Sequence, residues 1–441
     1  MEFWERLFKK DPPGDEPIIK MGRFSDLYKN EEQYDAWDKS LALFEEERYI
    51  DAFLMFLIYL RDPAQENVAV DAEQGRVSFS FLQGSKLITG FLDGKKVRAE
   101  SRIAKIKAMN IGFLRLLLEH NYGLKYSRYA LDDEDHLTLV FDSFLMDASP
   151  YKLYYALKEL AIHADKQDDL LIHEFTSLEP VNIRHVQPLA DAEVKIKYRY
   201  YKSTIDQTLN VLNKTKLNLT QYPNSAAMLL MGACYKLDYL ISAEGIITET
   251  FERISRQYFA EEEKAIFQKI NTIRGELETL GQMSFADFSK EIYRTQSTFG
   301  ITTPAGHQQI ADLIQNEWSN LDWYIKNDHV EFAFGICDYI IGYCLFNFAL
   351  QEPVRDLMHV YFRIIERNYF IELGYADVYW QKDQLNRKEI RKSLLALENR
   401  HSDRFGFLKI PADQLIYDHP ARFAQSFLGM IKSLDLTKTG L

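Results

Sequence analysis

The stretch Val77-Ser78-Phe79-Ser80-Phe81 alternates large apolar and small polar residues. A period of two is the mark of a strand with one buried face. Val68 and Val70 alternate with small residues in the same way just upstream. Gln83-Gly84-Ser85 then turns the chain into Lys86–Phe91, and Asp93-Gly94, a hairpin dipeptide, leads into Lys96–Ile106. Residues 67–106 therefore predict an antiparallel meander of three or four strands.

The sequence on either side of this meander changes to helical spacing. Tyr34, Trp37, Leu41 and Phe44 follow steps of three and four, and the apolar run through Phe53, Phe56 and Leu57 reaches Pro63. This predicts one long helix over 31–61. Residues 107–120 place Met109, Phe113, Leu116 and Leu117 on one face, with Asn121-Tyr122-Gly123 as the stop. A second hairpin follows: Leu124–Leu131, the acidic turn Asp132-Asp133-Glu134-Asp135, then Leu137, Leu139 and Phe141 alternating. Ser149-Pro150 opens a further helix that carries Leu153, Ala156, Leu157, Leu160 and Ala161 inward. The expected organisation is an N-terminal segment over 1–30 and an α+β domain over 31–176, ordered helix, strands, helix, hairpin, helix.

That order, and above all Ile111–Tyr129 with its helix, its Asn121 at the helix end and its following strand, resembles the type III secretion chaperones and the related bacterial YbjN-type proteins. The acidic turn, the Leu137–Phe141 strand and the Leu- and Ala-rich helix Tyr151–Ala164 follow as in that family. The resemblance covers about 135 of the 441 residues. It implies a cytoplasmic bacterial scaffold without catalysis, whose apolar patches hold segments of other proteins. It also implies a homodimer paired through helix 107–119, with Met109, Phe113 and Leu117 as the interface residues. Family chaperones are small and free-standing, whereas this domain is followed by about 260 further residues.

Those residues read as helical. A linker is expected at 177–191, where Pro180 and Pro188 interrupt any periodicity. Helices are expected at Glu193–Leu212 and Ser225–Ile241; over Ile246–Leu280 a slip of phase at Glu261-Glu262-Glu263 fits one long helix with a stutter or two helices. Ser284 and Asp287 form a capping pattern. Thr302-Thr303-Pro304 starts the last region, with helices near 304–319, 321–350, 353–372 and 387–400 and a tail broken by Pro411 and Pro420. The expected division is a helical domain at 192–300 and an aromatic-rich helical domain at 301–441. Val330–Leu350 is apolar enough for a membrane span, but Glu331 and Asp338 interrupt it, so a buried helix is the reading and no span is expected. Met1–Phe8 lacks the long apolar run of a signal peptide and reads as an amphipathic turn docked on its own protein first, on a membrane surface second.

The charge of −12 is unevenly placed: residues 1–180 hold 33 acids and 23 bases, a net of −10. An acidic chain is a poor default binder of nucleic acid. One local exception is Lys195, Lys197, Arg199 and Lys202, interleaved with Tyr198, Tyr200 and Tyr201. Such mixing can grip single strands, but it is also what an amphipathic helix flank looks like, with lysine stems covering apolar surface, and that is the leading reading. Of the docking options, packing against the acidic first domain is preferred. Cys234, Cys337 and Cys344 are too few and too far apart for a disulfide framework or a zinc site and predict buried free thiols. No phosphate loop, dinucleotide fingerprint, zinc-protease motif or serine elbow is present. The Asp132–His136 cluster lacks the alternation and the glycine of a calcium loop. No cofactor, metal or catalytic residue is therefore predicted.

Residues 318–380 hold 16 of the 60 aromatics. Such density fills a helical core, and it also builds binding grooves. The leading expectation is thus a non-enzymatic protein-interaction module of the chaperone-like kind. The alternative is a small-ligand or enzyme site in 318–380, with Asp338 and His359 converging. A nucleic-acid contact through 195–202 is the third reading.

Overall fold

The computed structural model describes residues 16–62, 65–73, 75–108, 111–181, 186–260, 265–318 and 321–438. It has the expected class: an α+β region followed by a helical region.

In the first region the expected single helix is two, α1 (Glu31–Glu45) and α2 (Tyr49–Leu60). They pack side by side, and Ser40 Oγ donates to the carbonyl of Ala52 at 2.7 Å. The break falls on Glu45-Glu46-Glu47, where Glu47 turns left-handed at φ 61°. Carboxylates crowd the negative end of a helix dipole there, so the chain leaves the helix. Strands β1 (Val68–Glu73), β2 (Arg76–Gln83), β3 (Lys86–Leu92) and β4 (Lys96–Ile106) form the predicted meander. The helix α3 (Ile111–Gly123) follows, then β5 (Arg128–Leu131), β6 (His136–Phe144) and the long α4 (Pro150–Glu174). All neighbours in the sheet are antiparallel, in the order β1-β2-β3-β4-β6-β5. The expected linker begins inside this sheet: β7 (Leu178–Pro180) pairs with Ala104–Ile106 of β4, and Leu178 is buried.

The helical region contains α5 (Asp191–Lys214), α6 (Pro223–Ile241), α7 (Gly245–Phe259), α8 (Ile266–Gly281) and the short α9 (Phe285–Lys290). Ser284 caps α9 as its pattern predicts, accepting from the Asp287 amide. The slip at Glu261–Glu263 lies outside the described residues. Next come α10 (His307–Trp318), α11 (Leu321–Lys326), α12 (Val330–Asn347), α13 (Glu352–Ile365), α14 (Arg367–Glu372), α15 (Arg387–His401) and α16 (Pro420–Lys432). The predicted helix 321–350 is divided where Asp328 takes φ 62°. Thr303-Pro304 does not start a helix; it pairs in parallel with Phe348-Ala349. Pro420 does not break the tail but opens α16, where its missing amide costs nothing.

One continuous core runs from Val194 to Leu436, so the helical domains expected at 192–300 and 301–441 share a single interior. Its centre is the pairing of α6 with α12. The helix α12 is long and apolar enough to cross a bilayer, yet most of it is buried here among other helices. Most of the aromatic run 318–380 is buried in the same core, including Phe332, Tyr361, Phe362 and Tyr369. The second core belongs to the α+β region, and it includes one distant residue, Phe299.

Candidate functional site

Phe299 marks where the two regions join. Its ring packs on Phe81 and Tyr154, and its amide donates to Gln83 Oε1 at 2.9 Å. Thr298 Oγ1 donates to the Leu82 carbonyl and accepts from Asn67 Nδ2. Gly84 donates to the Gln296 carbonyl at 2.9 Å. A short piece of the helical region, 296–299, is thereby docked on the N-terminal sheet.

The second joint is the segment 16–30, which runs without regular structure between the regions. Gly22 takes φ +72° and donates to the Tyr239 carbonyl at 2.8 Å. A Cβ there would meet the Tyr239 ring at 2.6 Å, so glycine is required on both counts. Arg23 then enters the helical body. Its guanidinium grips Asp238 through two nitrogens at 2.9 and 2.7 Å, reaches Glu252 at 2.9 Å and lies over the Phe346 ring. Further along, Asp26 accepts from Tyr154 Oη at 2.8 Å, Tyr28 Oη donates to the Leu350 carbonyl, and Asn30 caps α1.

Two cavities flank this segment. The smaller, about 540 Å³, holds Lys20, Lys166, Lys197, Glu244 and Glu252. Burial pushes the Glu244 carboxyl up to about 7, against the hydrogen bond from Thr295 and the attraction of Lys20. A carboxyl whose folded value is raised favours the folded state below its unfolded value, and that advantage is lost as pH climbs through the folded one. Glu244→Gln is therefore expected to raise the melting temperature at pH 8 and leave it nearly unchanged at pH 5, by thermal melts across that range.

The larger cavity, about 980 Å³, lies between the segment, α13 and α15. Arg355, His359 and Arg363 follow each other at four-residue steps on α13 and line it. His359 Nδ1 is 3.0 Å from Tyr239 Oη. Burial and the nearby Arg363 pull this imidazole down to about 4, so it is neutral near pH 7. His401 Nε2 sits 2.9 Å from Asp356. Although burial opposes it, His401 and Arg355 hold the Asp356 carboxyl below its ordinary value. Burial pulls Lys29 down to about 8, against Asp26 and Asp62.

The residues expected to form sites are distributed otherwise. Phe113 and Leu117 are buried in their own core, Phe113 against the Phe175 ring, so this face of α3 is taken up within the chain. Met109 lies outside the described residues, as do residues 1–15. Asp338 and His359 do not converge: His359 lines the larger cavity, while buried Asp338 is bound to Lys236 at 2.7 Å and to Tyr361. The segment 195–202 packs into the helical region and not onto the acidic domain. Lys197 pairs with Glu193, Arg199 with Glu372, Tyr201 Oη donates to the Leu280 carbonyl, and Tyr200 stacks on Tyr369. Those rings are unavailable for stacking on bases. Asp132, Glu134 and His136 do lie together, but Arg102 pairs with both carboxylates at 2.9 and 3.1 Å, as befits a braced hairpin turn. The three cysteines are free and buried, and burial pushes their thiols up, away from the reactive thiolate.

Sequence reasoning passed over Arg23 and Lys29. The visible signal was two cations, Lys20 and Arg23, set among Ile18, Ile19, Met21 and Phe24, the pattern of charges destined for buried partners.

No family model matches the chain. No curated protein matches it either.

Proposed function

We propose that the chain is a non-enzymatic protein-interaction module of the chaperone-like kind, and that it associates through the outward face of α3. One observation carries this reading: Ile111, Leu114, Leu118 and Tyr122 are 87, 41, 70 and 95% exposed. Their spacing of three, four and four puts them on one side of α3, opposite buried Phe113 and Leu117. A helix apolar on both sides is not finished by its own fold. Tyr126 and Leu131, just beyond its C-terminal end, are exposed too.

The charges on α3 favour a second copy of the chain as the occupant. Arg115 and Glu119 border the stripe and pair with each other at 2.9 Å. An antiparallel two-fold pairing centred near Leu117 sets Arg115 against the partner subunit's Glu119, and the partner's Arg115 against Glu119. It also brings the Ile111 end against the partner's Tyr122. Such a self-complementary patch is what a two-fold interface needs. Sedimentation equilibrium is expected to give a dimer at micromolar concentration, and a monomer with an unchanged circular dichroism spectrum for Leu118→Glu. A parent chain that stays monomeric, or a dimer indifferent to Leu118→Glu, refutes the reading.

A further inference from the structure

The larger cavity has an imbalance of donors over acceptors. Each carboxylate on its wall already has a partner. Asp356 is held by His401 and Arg400, Glu16 by Arg363, Asp26 by Tyr154 and Lys158, Asp62 by Gln65, and Glu389 by Lys392. The donors are not all so satisfied. Lys29 is only 9% exposed, has no carboxylate within 4 Å among the described residues, and rests over the Tyr59 ring. Thr302 is buried, and its Oγ1 has no hydrogen-bond partner among the described residues. His359 uses Nδ1 on Tyr239, and its Nε2 has no partner among the described residues. Arg355 forms its one ion pair among the described residues with its own neighbour Asp356, at 3.2 Å, and lies over the Tyr28 ring.

Among the described residues, Thr302 Oγ1 is thus buried without a partner and Lys29 without a carboxylate, while Arg355 and His359 are half-buried. Unpartnered buried polar groups are uncommon in folded proteins and call for an explanation. Here they share one cavity, and three basic side chains are spread along about 12 Å of α13 beside them. A ligand that satisfies this wall must bring acceptors and negative charge. Guanidinium and ammonium groups together suit phosphate oxygens. Inorganic phosphate would fill little of 980 Å³, a volume at the upper end of small-molecule sites. Phe348 and Tyr379 on the same wall offer apolar ring surface for the remainder.

We propose that the cavity between segment 16–30, α13 and α15 binds a phosphate ester of nucleotide size, held by Lys29, Arg355 and Arg363 with Thr302 and His359 as hydrogen-bonding groups. This stands independently of the pairing face on α3. Isothermal titration of the full chain with adenosine diphosphate, ribose 5-phosphate, inorganic phosphate and adenosine tests it. At least one ester is expected to bind more tightly than inorganic phosphate, and adenosine weakly or not at all. Lys29→Met and Arg355→Gln are each expected to weaken the ester about tenfold, the effect of losing a hydrogen bond to a charged group. Their melting temperatures without ligand provide the folding control. The proposal is overturned if no ester binds at millimolar concentration, if adenosine binds as tightly as its diphosphate, if inorganic phosphate matches the esters, or if Lys29→Met and Arg355→Gln both bind like the parent.

Discussion

Lys236→Met is expected to destabilise the chain by about 3–5 kcal/mol, the cost of breaking a buried charge group from one side. Lys236 Nζ donates to Asp338 at 2.7 Å and to Glu366 at 2.7 Å, and all three side chains are less than one-fifth exposed. The ammonium is shared between a carboxylate on α12 and one at the end of α13, so it ties α6 to both. Burial and the neighbouring Glu366 already hold the Asp338 carboxyl above its ordinary value in spite of the lysine. Removing the ammonium leaves two acids facing each other in the core. The measurement is urea unfolding at neutral pH. Adding Asp338→Asn and Glu366→Gln is expected to recover much of the loss, because the cost lies in the unpaired charges and not in the missing lysine stem. A single variant as stable as the parent would mean that water reaches the group and the pair is not structural.

This ion group shows which features were legible in the sequence. Asp338 was visible as an acid inside an apolar run, and that argued for a buried helix; most of α12 is buried. Its partners were not visible, because Lys236 and Glu366 come from helices whose meeting is decided by packing across the whole region. The α+β region shows the same division. Period-two alternation and the Asp93-Gly94 turn marked the strands, since each strand's buried face is written in its own residues. The Ser149-Pro150 and Ser284 helix starts were legible because caps are local. The break at Glu45–Glu47 and the role of Pro420 as a helix opener were missed, because helix spacing continues through the first and proline has two opposite meanings in the second. The docking of 296–299 on the sheet left no local trace at all. Ser297-Thr298-Phe299 resembles any loop until Gln83 and Asn67 are brought opposite it.

The expected interface residues show how a helix's faces escape a sequence reading. The helix α3 is apolar around much of its circumference, so apolar spacing alone did not say which face the sheet would cover. Phe113 and Leu117 were taken by the core, and Ile111, Leu114, Leu118 and Tyr122 were left outside. A candidate pairing surface survives only because the helix has more apolar residues than one buried face needs.

Gly232→Val is expected to cost at least about 3 kcal/mol, the upper end of what overpacking a core exacts. The helices α6 and α12 cross on glycines. A Cβ at Gly232 would stand 2.7 Å from the Gly335 carbonyl oxygen and 2.9 Å from the Tyr339 amide nitrogen, and one at Gly342 would stand 2.6 Å from Tyr235 Cβ. The first two are backbone atoms of α12, which no rotamer change can move aside. The helices must separate, and the core pairing at the centre of the region loses its fit. Lys236 lies one turn further along the same helix, so the same displacement pulls its ammonium from Asp338. A second glycine makes the test specific. Gly275 also sits inside a helix, α8, but a Cβ there meets nothing within 4 Å. Gly275→Ala is expected to stabilise the chain by about 0.5–1 kcal/mol, the ordinary gain from removing glycine's freedom in a helix. Both changes add a side chain to a helical glycine, so propensity alone would move them in the same direction. Opposite signs in urea unfolding locate the difference in the α6–α12 crossing, whereas two stabilised variants would show that these helices do not approach as closely as their glycines allow.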